Sequence, residues 1–156
     1  MEEAVAVNSF KLLSFTLGTQ EYGIDISFIS TIVENNYSIT RVPGTSDCMK
    51  GVINLRGDIV PVMDLRTRIN LPGVEDTQET KIIIVNMEEY SVGIKVDQVN
   101  KVIEINKSTI EKVSGISGED SSDFFSGLVK CDDRLIILLD IEEIAKNLNT
   151  VGDKNE

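Results

Sequence analysis

Residues 51–65 read GVINLRGDIVPVMDL, two apolar runs on either side of the break Arg56-Gly57-Asp58. Short apolar runs around a glycine-containing break are the pattern of a β-hairpin, since glycine supplies the positive φ that tight hairpin turns need. With Val52, Ile53, Val60, Val62, Met63 and Leu65 in so short a span, both strands are expected to be largely buried. A turn does not need an arginine. Arg56 is therefore a candidate for a role outside the fold.

Laid without gaps over residues 127–141, GLVKCDDRLIILLDI, the stretch puts Gly51 on Gly127 and Asp64 on Asp140, with apolar meeting apolar between them. Gly23-Ile24 and Gly93-Ile94 echo one another at nearly the same separation. Two such echoes predict an internal repeat of two similar small β-barrels, each closed so that few strand edges are bare. The overlay also sets Arg56-Gly57 on Asp132-Asp133. That places the arginine on an exposed hairpin tip rather than in a core ion pair.

Outward from the hairpin, strands are expected at 10–17, 22–26, 81–85, 91–96, 99–105 and within 126–140, the last as a hairpin around Asp132-Asp133. Residues 65–71 predict a short helix. Ile141, Ile144, Ala145 and Leu148 stand at i, i+3, i+4 and i+7, one face of a final helix. The acidic, turn-rich stretch 73–79 is the natural boundary between halves.

Composition narrows function further. A net charge of −11 over 156 residues argues against nucleic acid and anionic membrane surfaces, which need clustered Lys and Arg. The chain has no histidine, which removes Ser-His-Asp and Cys-His nucleophile systems and most catalytic zinc sites. Cys48 and Cys131 are too far apart in sequence for a metal-ligand pair, and they read as reduced thiols. No metal or cofactor is expected. The N-terminus lacks the pattern of a signal peptide and no apolar run reaches membrane-spanning length, so the expected location is cytoplasmic.

The remaining motifs are weak. Arg56-Gly57-Asp58 spells an adhesion tripeptide, but without a secretion signal it has no reader. Asp25, Asp64, Asp97 and Asp140 are imaginable as paired carboxylates of an acid-acting hydrolase. Their recurrence after apolar runs fits strand ends and helix caps better. Ile29, Val99 and Val102 are ambiguous by periodicity between core and interface.

The hairpin stretch resembles the signature of the CheW family of bacterial chemotaxis coupling proteins. The resemblance continues through FTLGTQEYGIDI (15–26), ITRVP (39–43), VGIKVDQVNKV (92–102) and GLVKCDDRLIILLDI (127–141), and so covers roughly residues 10–148. It implies a mainly β fold of two SH3-like five-stranded barrels with a shared hydrophobic junction, short helices and a C-terminal helix, in one CheW-like domain. The expected subdomain bounds are 15–79 for the first barrel, and 80–148 plus a strand near 8–14 for the second. It implies a non-enzymatic adaptor, recruited to membrane-associated arrays and a monomer outside them. Its partners would be the cytoplasmic tip of methyl-accepting chemoreceptors and the regulatory domain of the histidine kinase CheA. A scaffold in another chemosensory kinase system, for motility or development, is the alternative. Carried over by position, the receptor contact is Arg56, Ile29, Val99 and Val102, and the kinase contact is Ile39 and Ile116. Thr31 departs from the family, where glutamate is frequent, which puts a polar receptor contact there in doubt.

Overall fold

The computed structural model describes residues 8–112 and 124–146, which form two five-stranded sheets. In chain order the strands are β1 (Ser9–Leu17), β2 (Gln20–Asp25), β3 (Ile29–Glu34), β4 (Met49–Leu55), β5 (Asp58–Asp64), β6 (Lys81–Asn86), β7 (Ser91–Val96), β8 (Gln98–Asn106), β9 (Phe125–Cys131) and β10 (Arg134–Leu139). Helices α1 (Leu65–Arg68) and α2 (Ile141–Ala145) follow β5 and β10. The first sheet runs β8-β1-β2-β10-β9 and the second β3-β6-β7-β5-β4.

The expected hairpin is β4–β5, turned by Arg56 at φ 55° and Gly57 at φ 94°. Its counterpart is β9–β10, turned at Asp132 with φ 58°. Each hairpin then pairs in parallel with a strand from the other half of the chain. Val62 faces Gly93 in the second sheet, and Leu138 faces Gly23 in the first. The two echoes of the sequence are thus one repeat: β1-β2-β3-β4-β5-α1 followed by β6-β7-β8-β9-β10-α2.

The strands divide between the sheets differently from the expected subdomain bounds. β2 lies in the sheet with β8, β9 and β10, and β6 and β7 lie in the sheet with β3, β4 and β5. The cause is a crossing in each repeat. After β2 the chain leaves the first sheet through a 3-10 turn at Ile26–Phe28, and after β7 it leaves the second at Asp97. Each sheet is therefore a hairpin of one repeat joined to three strands of the other. The acidic stretch 73–79 separates the repeats and not the sheets, because the repeats are interleaved.

Both sheets curl. On one face the first sheet gathers Leu12, Ile105, Val129, Ile136 and Leu138 into a cluster that includes both edge strands, β8 and β9. The second gathers Ile53, Val60, Val62, Ile82 and Ile84, with Val33 of the far edge against them. Edge strands of one sheet share an interior only when the sheet closes on itself as a small barrel. Glycine makes a further closure possible at each barrel. Thr40 bridges Val52 across Gly51, and Glu111 bridges Leu128 across Gly127. A Cβ on Gly51 would collide with the Thr40 carbonyl oxygen, and one on Gly127 would come within 2.6 Å of Ile110 Cγ2.

Between the barrels lies a third and larger cluster, to which both sheets contribute their other face. It includes Leu13, Phe15, Tyr22 and Ile24 from the first sheet, and Met63, Ile83, Val85, Val92 and Ile94 from the second. Phe15 and Tyr22 stack with ring centroids 6.0 Å apart. Ile141, Ile144 and Ala145 of α2 enter the same cluster, as the helical spacing of the sequence required.

Candidate functional site

The edge strands β3 and β8 begin where the chain crosses between sheets, and each carries one extra residue relative to its partner. On β8, Val102 stands opposite Leu13 and Val99 opposite Phe15. Cross-strand partners share a face, and Leu13 and Phe15 belong to the central cluster, so both valines point toward the junction. In a regular strand residues three apart point to opposite faces; the bulge turns Val102 back to the side of Val99. On β3 the same irregularity sets Ile29 opposite Val85 and Ile32 opposite Ile83.

The result is two matched apolar pairs, each with an inner and an outer member. Ile29 and Val99 are half-buried against the central cluster. Ile32 and Val102 leave 38% and 52% of their surface in solvent. Periodicity alone missed Ile32. The signal was present in the repeat, since extending the Gly23/Gly93 echo sets Ile29-Ser30-Thr31-Ile32 over Val99-Asn100-Lys101-Val102. Thr31 pairs with Ile84, whose side chain is in the second barrel's interior cluster, so Thr31 belongs to the face opposite Ile29 and Ile32.

Arg56 stands apart from these residues on the exposed β4–β5 tip. Asn54 Oδ1 accepts from Gly57 N at 2.9 Å and fixes the turn. Among the described residues the Arg56 guanidinium has no ion-pair partner. Ile39 packs on the second barrel's cluster beside Gly51, where it covers the barrel. Ile116 lies outside the described residues.

The four aspartates have structural partners. Asp25 accepts from Ser27 N, Asp64 from Arg66 N, and Asp140 from Glu142 N and Glu143 N, each at the start of a helical turn. Asp97 does something the sequence did not disclose. At the second crossing it accepts from Arg66 of α1, with Nη2 to Oδ2 at 2.6 Å, and from Gly18 N of the β1–β2 turn at 2.8 Å. The hydrogen bond from Arg66 holds the Asp97 carboxyl below the usual carboxylate range against the opposing effect of burial. The same bond raises the Arg66 guanidinium further above neutrality.

Arg68 forms a second clasp. Its guanidinium donates to the carbonyls of Ile144 and Lys146, both at 2.8 Å, and lies 4.8 Å from the centre of the Phe124 ring. Tyr90 Oη donates to the neighbouring Ala145 carbonyl at 3.2 Å. The C-terminal carbonyls of α2, which a helix end leaves without intrahelical partners, are thus taken up by side chains from the other repeat's helix and from the β6–β7 turn. The clasps tie the barrels into one body around the apolar pairs.

Among the described residues no group of three His, Cys, Asp or Glu side chains is placed to hold a metal ion. Both cysteines are free thiols. Among the described residues no helix is long and apolar enough to cross a membrane.

Comparison with known proteins agrees with the geometry. The CheW-like domain family matches residues 11–149. The chain is 37% identical to the chemotaxis protein CheW of Klebsiella aerogenes over 134 residues, covering 86% of this chain and 80% of that one. It is 38% identical to CheW of Bacillus subtilis, covering 86% and 85%. Among solved structures, the scaffolding protein TtCheW of Thermoanaerobacter tengcongensis superposes with a TM-score of 0.80 at 34% identity, covering 88% of this chain and 92% of that one. A family match over nearly the whole chain, the interleaved barrels and the repeated glycines lead to one conclusion: the chain belongs to the CheW family.

Proposed function

We propose that this chain is a non-enzymatic adaptor that couples methyl-accepting chemoreceptors to the histidine kinase CheA. The observation that carries the reading is the bulge-built apolar face at the barrel junction, in a chain whose relatives are chemotaxis proteins. Val99 and Val102 on one edge strand, and Ile29 and Ile32 on the other, offer apolar side chains on the junction side of both sheets, so the receptor tip would dock as a helix in a groove. Arg56, exposed and without an ion-pair partner among the described residues, would meet acidic or carbonyl groups of the receptor. Ile39 and Ile116 remain the positions proposed for the kinase. Coupling then follows from holding both partners on one rigid body, so that a change in receptor geometry reaches the kinase.

The caps and the ion pair that engage Asp25, Asp64, Asp97 and Asp140 support an adaptor over a hydrolase. The test is binding of the purified chain to a receptor-tip fragment and to the CheA regulatory domain. Arg56→Glu is expected to keep its fold and lose about 1.5–3 kcal/mol of receptor binding, tenfold or more in Kd. Val102→Asp and Ile32→Asp, both on exposed positions, are expected to weaken the same interaction while kinase binding persists. Unchanged receptor binding by all three folded variants would overturn the assignment of the face.

A further inference from the structure

At one end of the first barrel is an open cleft of about 420 Å³, floored by Phe10, Phe28 and Ile110 and walled by Asp25, Ser126 and Glu142. The internal repeat supplies its counterpart. The strand registers set Asp25 on Lys95, Asp140 on Asp64, Glu142 on Arg66 and Ser126 on Lys50. In the second barrel Asp64, Arg66 and Lys95 line a smaller space of about 160 Å³, and the chain's own segment Val74-Glu75-Asp76-Thr77 fills the rest of that position. Asp76 is the anchor. Its carboxylate accepts from Lys95 Nζ at 2.7 Å and Asn35 Nδ2 at 2.8 Å, with Lys50 nearby.

One barrel therefore shows what the other is shaped to receive. Where the second presents Lys95 and Lys50 to Asp76, the first presents Asp25 and Ser126, with Glu142 also lining the cleft, so the charge facing the occupant is inverted. We propose that the first barrel's cleft binds an extended peptide segment of a partner protein, with an apolar residue for the aromatic floor and a basic residue in the place Asp76 takes in the second barrel. Asp25 gives one oxygen to Ser27 N at 2.9 Å, which leaves the other for the incoming cation. Lys107 and Lys112, which also line the cleft and have no ion-pair partners among the described residues, suit an acidic residue before the basic one. The fitting order is apolar, acidic, basic: Val74-Glu75-Asp76 with its last charge reversed.

The probes are two hexapeptides, GVEDTQ, which copies residues 73–78, and GVEKTQ, which differs only by lysine for the aspartate. Each is titrated into the full-length protein and followed by amide chemical shifts. GVEKTQ is expected to bind saturably with shifts at the cleft, about tenfold tighter than GVEDTQ, the usual worth of one charge-assisted contact. Asp25→Asn, which keeps a capping side chain, and Glu142→Lys are each expected to reduce that preference severalfold while the spectrum stays that of a folded protein. Equal affinity for the two peptides, absence of saturable binding by GVEKTQ, or a preference untouched by both substitutions would overturn the proposal. A rise in GVEKTQ affinity on Lys154→Glu would assign the cleft to the chain's own terminus and overturn its assignment to a partner.

Discussion

The two barrels repeat one backbone and enclose different chemistry. In the second, Ile84 pairs with Gly93 and joins the apolar interior cluster. In the first, the residue paired with Gly23 is Ser14, fully buried, which hydrogen-bonds Glu21 and accepts from Asn100 Nδ2 at 3.2 Å. Glu21 in turn faces Arg134 at 3.5 Å. The hairpin tips differ in the same way, with Arg56-Gly57 on one and Asp132-Asp133 on the other. What repeats is what the backbone cannot do without: glycine where a second chain segment crosses, a bulge on each edge strand, an aspartate capping each α-helix. What diverges is largely side chain, in the interiors and on the hairpin tips.

The comparison is broken most severely at the paired glycines. Gly51→Ala would place a Cβ against the backbone of Thr40 at φ 142°, whereas Gly127→Ala would meet first the Ile110 Cγ2 methyl, with the Glu111 carbonyl oxygen at 3.0 Å, and without a positive φ. Urea denaturation is expected to give a loss of about 4 kcal/mol for the first and about 2 kcal/mol for the second. Equal losses would mean that the two crossings are equivalent after all. Next come the contrasting interior residues. Ile84→Ser is expected to cost about 3 kcal/mol, from lost burial and an unpaired hydroxyl, and Ser14→Ala about 1 kcal/mol, one hydrogen-bonded hydroxyl. Thermal melts of the two variants would sharpen the distinction between an apolar and a polar interior.

The clasps have no twin in the repeat, since the overlay sets Arg66 and Arg68 on Glu142 and Ile144. Arg68→Ala removes the donors to the α2 carbonyls and is expected to lower stability by about 2 kcal/mol in denaturant titration. The mildest effect is acid-dependent. Because Arg66 holds the folded Asp97 carboxyl below its ordinary value, the stabilisation is complete above about pH 4 and is lost as the pH falls through the lowered value. Stability measured from pH 5 down to pH 2 is expected to fall less steeply in Asp97→Asn than in the parent. Parallel curves would remove Asp97 from the acid response.

Much of this was legible in the chain. The β4–β5 hairpin, its exposed arginine, its twin at β9–β10 and the caps of α1 and α2 all rest on local rules: period-two burial, glycine at positive φ, aspartate before a helical turn. The interleaving of the repeats was not legible. A crossing after Asp25 or Asp97 looks like any strand end, and only pairing with a distant strand shows which sheet the next strand joins. Ile32 was missed because its face depends on a bulge, and a bulge is defined by the partner strand. Asp97 read as a strand end because its partners, Gly18 and Arg66, are far away in sequence.

The sequence by itself determined which segments become strands, where the chain turns, which residue stands on the hairpin tip, and that the fold is a repeat. These follow from the steric and hydrophobic preferences of a few adjacent residues. Tertiary structure alone decided how the repeats interleave, that Val99 and Val102 share a face with Ile29 and Ile32 toward one junction, and that one barrel's end is filled by its own chain while no described segment fills the other. Those outcomes depend on which distant strand pairs in which register, a choice made by the whole apolar interior at once.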